Sequence, residues 1–389
     1  VAGKFFSLVL FPFLINFGYL SQYKYSLFIH LHFQLLLKTM VKMLRLLTAV
    51  LVIAPSLFLS AQDIHFSQYL NSPMNLGPGM TGIFGGDTRF TANYRNQWRQ
   101  VPVPYSTFSG VVENKFYLKK QRYDRYLTGG LILNQDRQGD LRLTSLQVGI
   151  PVAFTLPLKK KVSPFAHNFL TLGVVPMVGQ RSFGTNKFTF DAQYVDCMFD
   201  PTAAINESQI FDRNSITYFD FSAGLNYRWQ SKVNRSKIDL GTGWHHINRP
   251  DHDFWQGENK VKLERRLAFY TSLLFQVRSN VDVVGQGLYQ TQGAYKQIAF
   301  GAGARFHLNQ RPYNEFALQV GANYRQTYND AIIPHVEAHF RTWTLGLSYD
   351  INISSAKIVT NRRGGPEVAL IYRLYKVKPL SKFKSCPII

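Results

Sequence analysis

The chain has 389 residues, of which 46% are hydrophobic and 15% aromatic, and it carries a formal charge of +21. That length suits one large all-β unit, and the basic surplus points to an acidic partner: nucleic acid, anionic lipid or lipopolysaccharide, or an acidic protein. Nucleic acid is set aside because no helix-turn-helix, zinc-finger or RNA-binding motif is present, and a helical membrane protein is excluded because no long apolar run follows residue 61.

The first element is a secretory signal over residues 43–61: Met43-Leu44-Arg45, the apolar run Leu46 to Leu59, then Ser60-Ala61-Gln62, with cleavage placed after Ala61. No cysteine follows, so it is not a lipoprotein signal. Residues 1–42 stand upstream of an already complete signal and read as translation from an incorrectly chosen start. An inner-membrane anchor is the other reading, but Lys24, His30 and His32 interrupt the apolar run. Without residues 1–61 the chain loses five basic residues (Lys4, Lys24, Lys38, Lys42, Arg45) and no acidic one, leaving 39 basic against 23 acidic residues.

Residues 62–87 form an irregular N-terminal segment in which Phe66, Tyr69, Pro73, Met74 and Leu76 supply an apolar, proline-broken stretch. A broken stretch of this kind does not extend a strand. It is positioned to plug a lumen, to dock a periplasmic protein, or to pack under a barrel mouth.

From residue 88 to 375 the chain alternates apolar and polar residues in segments of roughly ten separated by turns, the signature of a transmembrane antiparallel β-barrel. In Trp343 to Asn352 every odd position is apolar or aromatic and every even one small or polar, so the two sets lie on opposite strand faces. Phe219 to Gln230, Ile298 to Asn309 and Phe316 to Arg325 repeat the pattern. Fourteen strands are predicted, centred near Phe90, Val111, Leu131, Val148, Val174, Leu225, Leu240, Tyr270, Val284, Gly301, Val320, Val336, Leu347 and Leu370. Only a closed barrel lets strands cross lipid, because lipid offers no partner to a free edge. A soluble all-β protein also alternates, but the signal and the aromatic residues at segment ends argue for the membrane.

With a periplasmic N-terminus, the odd-to-even connections face outward, and the three longest, Ser182 to Ser215, Asn248 to Lys260 and Ser354 to Gly365, all fall in that set. The longest, with Asp196, Asp200 and Glu207, is the candidate surface for an exported protein. Arg89, Arg95, Arg228, Arg305, Arg325 and Arg373 fall on the polar phase of their strands and are expected to line the lumen. Trp98 and Trp343 read as rim anchors facing outer-membrane lipid, with partner contact the alternative for Trp98. Residues 376–389 form a lysine-bearing tail, periplasmic by parity, in which Cys386 is the candidate for pairing with a partner protein. Cys197 lies in the longest outer connection, across the membrane from Cys386, so no intramolecular disulfide is expected.

The opening Gln62-Asp63-Ile64-His65-Phe66-Ser67-Gln68-Tyr69-Leu70-Asn71-Ser72-Pro73-Met74-Asn75-Leu76-Gly77-Pro78-Gly79 closely resembles the start of the PorP/SprF family of type IX secretion system outer-membrane proteins. Tyr94 to Trp98 with Pro104, Tyr105 and Thr107 resembles it too, as do Gly346 to Asn352, Gly364-Gly365-Pro366-Glu367, Leu370, Tyr372 and Cys386-Pro387. The resemblance implies a non-catalytic barrel of the secretion and gliding machinery that helps export or retain cell-surface adhesins and associates with a peptidoglycan-binding periplasmic component. A porin or substrate-specific channel with an Arg-rich, anion-favouring lumen is the alternative.

No catalytic, cofactor-binding or metal site is expected: Gly-x-Ser-x-Gly, Walker and dinucleotide motifs are missing. A barrel phospholipase, with serine and histidine converging on the outer face, is a remote further class. His245-His246 with Asp251, His252 and Asp253 has metal-like composition, but strand neighbours point to opposite faces and the spacing is no known zinc pattern. The cluster reads as a solvated loop.

Overall fold

The computed structural model describes residues 63–97, 105–119, 122–139, 142–158, 166–184, 194–195, 198–200, 213–254, 261–355 and 357–376. Fourteen antiparallel strands form the barrel: β1 Thr88–Gln97, β2 Tyr105–Lys119, β3 Arg122–Gln138, β4 in two pieces (Leu143–Gly149 and Val152–Pro157), β5 Ala166–Ser182, β6 Ser215–Ser231 and β7 Lys237–His245, followed by β8 Arg266–Arg278, β9 Val281–Gln292, β10 Tyr295–Asn309, β11 Phe316–Arg325, β12 Ala331–Phe340, β13 Trp343–Asn352 and β14 Arg363–Leu374. Each pairs with the next, and β1 closes on β14 from Thr88↔Leu374 to Arg95↔Glu367. All fourteen predicted centres lie within a strand. The break in β4 falls at Ile150-Pro151, where proline has no N–H to give the ladder. Its carbonyl still accepts from Gly130 N at 3.0 Å, and the register on β3 continues unshifted from Ile132↔Gly149 to Gly129↔Val152.

The wall is inside out relative to a soluble sheet. Along β13 exposed and buried positions alternate without exception; Leu347 is 50% exposed and Asp350, three residues on and on the other face, 1%. Lipid accepts the apolar face at no cost, whereas polar groups must find partners inside. Outward aromatics gather at both strand ends. At the end where β1 begins, Tyr372 stacks on Trp343 at 4.2 Å and on Phe90 at 6.2 Å. At the other end lie the Phe269–Tyr289 pair at 6.3 Å and the Phe300–Tyr324 pair at 5.5 Å. Two such belts mark the two interfaces of a bilayer.

Inside runs the segment from Asp63 to Phe84. It contains a 3-10 turn at Tyr69–Asn71, the one-turn helix α1 at Pro73–Leu76 and a second 3-10 turn at Pro78–Met80. Phe66, Tyr69, Met74, Leu76, Met80, Ile83 and Phe84 are all buried, packing with inward wall residues such as Val111, Ile132, Val175, Tyr270 and Leu288. The segment therefore takes the plugging position among the three that the sequence allowed.

Candidate functional site: a plug keyed into the barrel wall

An irregular segment leaves backbone N–H and C=O groups that no helix or sheet satisfies, and buried groups of this kind must find partners. Here the wall side chains provide them. Glu367 on β14 accepts the N–H of Ser67 at 2.7 Å and of Gln68 at 2.9 Å, and Gln68 returns its amide to the Glu367 carbonyl at 3.1 Å and to Ser348 Oγ at 3.0 Å. Arg95, Glu367 and Ser348 are direct cross-strand neighbours on β1, β14 and β13, so closure of the barrel assembles this cradle. Arg95 donates to the His65 carbonyl at 2.9 Å while holding Asp350 at 2.8 Å, and Arg325 meets the same carboxylate at 2.5 Å. On β12, Glu337 accepts from Asn71 at 3.0 Å. Arg266 on β8 donates to the carbonyls of Ile64 at 3.0 Å and Asn75 at 2.9 Å.

The far end of the segment is fixed on β1 to β3. Glu113 accepts the Gly82 N–H at 2.7 Å and pairs with Arg89 beside it; Tyr126 donates to the Gly82 carbonyl at 3.1 Å, and Lys115 to that of Phe84 at 2.5 Å. The Phe84 ring lies under both cations, 4.4 Å from Lys115 Nζ and 4.6 Å from the Arg89 guanidinium, distances at which a ring face attracts positive charge.

Between these ends, backbone meets backbone. Gly173, Gly224 and Gly243 stand side by side on β5, β6 and β7. A Cβ on Gly173 would come 2.0 Å from the Pro78 carbonyl oxygen, one on Gly224 2.7 Å from Gly79 N, and one on Gly243 2.8 Å from Gly77 Cα. The three glycines thus form a floor without side chains on which Gly77-Pro78-Gly79 rests. Gly346 plays the same part under Gln68, whose Oε1 would lie 2.3 Å from an added Cβ.

The sequence profile of the type IX secretion system membrane protein PorP/SprF matches residues 58–372. The chain belongs to the PorP/SprF family. Among solved structures it is similar to the toluene transporter TbuX of Ralstonia pickettii at 10% identity and a TM-score of 0.44, covering 78% of this chain and 94% of that one. It is also similar to the translocator domain of the autotransporter NalP from Neisseria meningitidis, at 7% identity and a TM-score of 0.37 over 79% and 95% of the two chains. A third likeness is to a Pseudomonas aeruginosa FadL homologue, at 10% identity and a TM-score of 0.39 over 77% and 93%. No curated protein matches.

In this PorP/SprF barrel the inward positions of the six arginines have different uses. Arg89 and Arg95 serve the plug as described, Arg325 pairs with Asp350, the carboxylate it shares with Arg95, and Arg228 makes two 2.7 Å bonds to its cross-strand neighbour Asp239. Arg305 donates to Gln319 at 2.7 and 3.0 Å, and among the described residues Arg373 makes no ion pair. Phe66, Tyr69, Pro73 and Met74, the N-terminal candidates for partner contact, are buried in the plug and present no surface to a docking protein in this conformation. Of the other candidates, Asp200 is exposed, while Trp98, Asp196 and Cys386, with Cys197, lie outside the described residues.

The histidine pair is a correction. It is not a solvated loop: His245 is 4% exposed and His246 1%. Strand alternation ends at His246, whose φ of +57° turns its side chain inward beside that of His245. There His246 bridges Asp220 on β6 at 2.8 Å and Asp63 of the plug at 3.0 Å, with Arg266 also 3.2 Å from Asp63. Burial works against the imidazolium, but the Asp63 and Asp220 carboxylates prevail and raise its pKa to about 9. Burial likewise opposes charge on Asp63, and Arg266 and His246 hold it well below the usual carboxylate range. A charged His246 therefore pins the start of the plug. The plug contacts as a set join residues up to 300 positions apart, and nothing in the local sequence pattern points to them.

Proposed function

We propose that this barrel acts as a non-enzymatic subunit of the type IX secretion and gliding machinery that helps export or anchor cell-surface adhesins. Both chain ends would lie in the periplasm, where a peptidoglycan-binding component of the machinery would be met. The supporting observation is the plug: its backbone is bonded to β1, β2, β3, β8, β11 and β14, and its glycine turn lies on β5 to β7. A diffusive channel needs an open path lined by groups that bind weakly. Here arginines that could line such a path hold the segment that occupies it, which favours a holding role over passage of solutes. The outer connection carrying Asp196 and Asp200 is the surface offered to the adhesin.

The test is affinity purification from detergent-solubilised outer membranes through a tag placed after Ile389. Co-purification of a large surface protein or a peptidoglycan-binding secretion component is the expected result. A preparation that arrives alone and conducts ions steadily in planar bilayers refutes the reading and favours the channel.

A further inference from the structure

Beneath the plug, at the mouth where β1 begins and β14 ends, lies a cavity of about 240 Å³. Its wall carries Arg89 from β1, Arg228 from β6, Lys237 from β7, Arg305 from β10, Arg373 from β14 and the His339 ring from β12. Ile83 to Gly85 of the plug form its roof, Gln230 and Tyr375 complete the lining, and no carboxylate reaches it. Two of the cations are balanced from behind, Arg89 by Glu113 and Arg228 by Asp239. Lys237, Arg305 and Arg373 are not: among the described residues none of them has an aspartate or glutamate oxygen within 4.0 Å. Glu337 lines a neighbouring cavity with Lys237 and Arg305, beyond ion-pair distance of both, and contacts His339 at 3.3 Å and Asn71 at 3.0 Å. Asp282 is taken by His307 at 2.6 Å and Arg235 at 2.8 Å. An adjoining cavity adds Arg341 and His307 against a single carboxylate, Glu315.

A lumen can carry charge freely where water and salt reach it, yet elsewhere in this barrel buried cations are paired or spent on plug carbonyls. Three cations without a contact ion pair converge from three strands on one recess closed at its inner end, with one carboxylate, Glu337, in the neighbouring cavity, and together they make a receptor for a compact multivalent anion. We propose that the recess binds a phosphate-bearing anion of pyrophosphate or phosphate-ester size. Phosphate concentrates two or more negative charges on a few oxygens, which suits a small cavity. The Arg373 guanidinium fork presents the donor geometry that phosphate oxygens accept in pairs; Arg305, whose Nε and Nη2 donate to Gln319, adds the donors Gln319 leaves free, and Lys237 adds a point charge. A folded or extended acidic peptide does not fit that volume. Because the plug roof closes the inner end, the anion is held at the mouth and does not pass through.

The test is titration calorimetry of the full chain in neutral detergent, with inorganic pyrophosphate as the probe and phosphatidic acid in mixed micelles as a second arm. Saturable binding that weakens as salt is raised is expected. Lys237→Gln, Arg305→Gln and Arg373→Gln should each lower affinity about tenfold, the scale of one charge-assisted contact. Arg142→Gln, on the exposed turn after β3, should leave it unchanged. Binding of pyrophosphate assigns the site to a soluble phosphate; binding of phosphatidic acid alone assigns it to a lipid headgroup. Heat-modifiable migration on gels checks that each variant is a folded barrel, and three separate substitutions keep the test valid should one of them not fold. The proposal is overturned if neither probe binds, if the folded variants bind as tightly as the parent, or if citrate binds as well as pyrophosphate.

Discussion

Glu367→Gln should loosen the plug without opening the barrel. The carboxylate receives two backbone N–H groups, from Ser67 at 2.7 Å and Gln68 at 2.9 Å, in a site with no solvent exposure. Hydrogen bonds to a charged group contribute roughly 1.5–3 kcal/mol each. Glutamine keeps one acceptor oxygen and turns an NH₂ toward the other N–H, so one bond is lost and the remaining one becomes neutral. Arg95 is not orphaned, because Asp350 stays 2.8 Å away. The net cost to the seated plug is about 2–4 kcal/mol, equivalent to roughly 30- to 1,000-fold in its opening equilibrium. Hydrogen exchange followed by mass spectrometry reads this directly, since exchange through local opening scales with that equilibrium. Amides of residues 63–84 should exchange faster by a factor in that range, while those of β8 to β11 keep their parent rates. Plug amides that exchange within threefold of the parent would refute the idea that Glu367 secures the segment.

Replacing Gly173 by valine places side-chain atoms where the Pro78 carbonyl lies, 2.0 Å from the new Cβ, so the plug should be expelled and ion conductance in planar bilayers should appear on a still heat-modifiable barrel. The His246 contact carries a pH signature. Its pKa is raised from 6.5 to about 9, so its stabilisation is complete below pH 6.5 and lost as pH rises through 9. Asp63, whose pKa is lowered, adds stabilisation present above pH 3.8 and lost in more acidic solution. Proteolysis of the N-terminal segment should therefore accelerate between pH 7 and 10, and His246→Gln should abolish the pH dependence in that window. Asp239→Ala strands Arg228 at a position 5% exposed and should destabilise the barrel by about 3–5 kcal/mol in urea titrations, whereas Arg228→Met with Asp239→Met should recover most of that loss.

The strands were legible because a lipid-facing wall imposes period two over its whole length, and because proline and glycine mark the ends of segments. The Ile150-Pro151 interruption was equally local: the sequence contained the proline, and the register on either side did not change. The interior was less legible. Glu367, Gly346 and Gln68 all stand in motifs noticed for their family resemblance, yet their reason is mutual, and Gln68 lies 278 residues from Gly346 and 299 from Glu367. Gly173, Gly224 and Gly243 read singly as small residues on the polar phase; only lateral pairing makes them one floor. The histidine pair failed for a sharper reason. Alternation holds while φ stays extended, and the +57° at His246 ends it between the two histidines.

The cradle for Ser67 and Gln68 is built from the last two strands and the first, Ser348 on β13, Glu367 on β14 and Arg95 on β1. The N-terminal segment therefore has no complete seat until the final strand has been laid and zipped to the first. Insertion and sealing become one event in time: a barrel caught before its seam closes is also unstoppered, and the stopper's arrival certifies that the wall is whole.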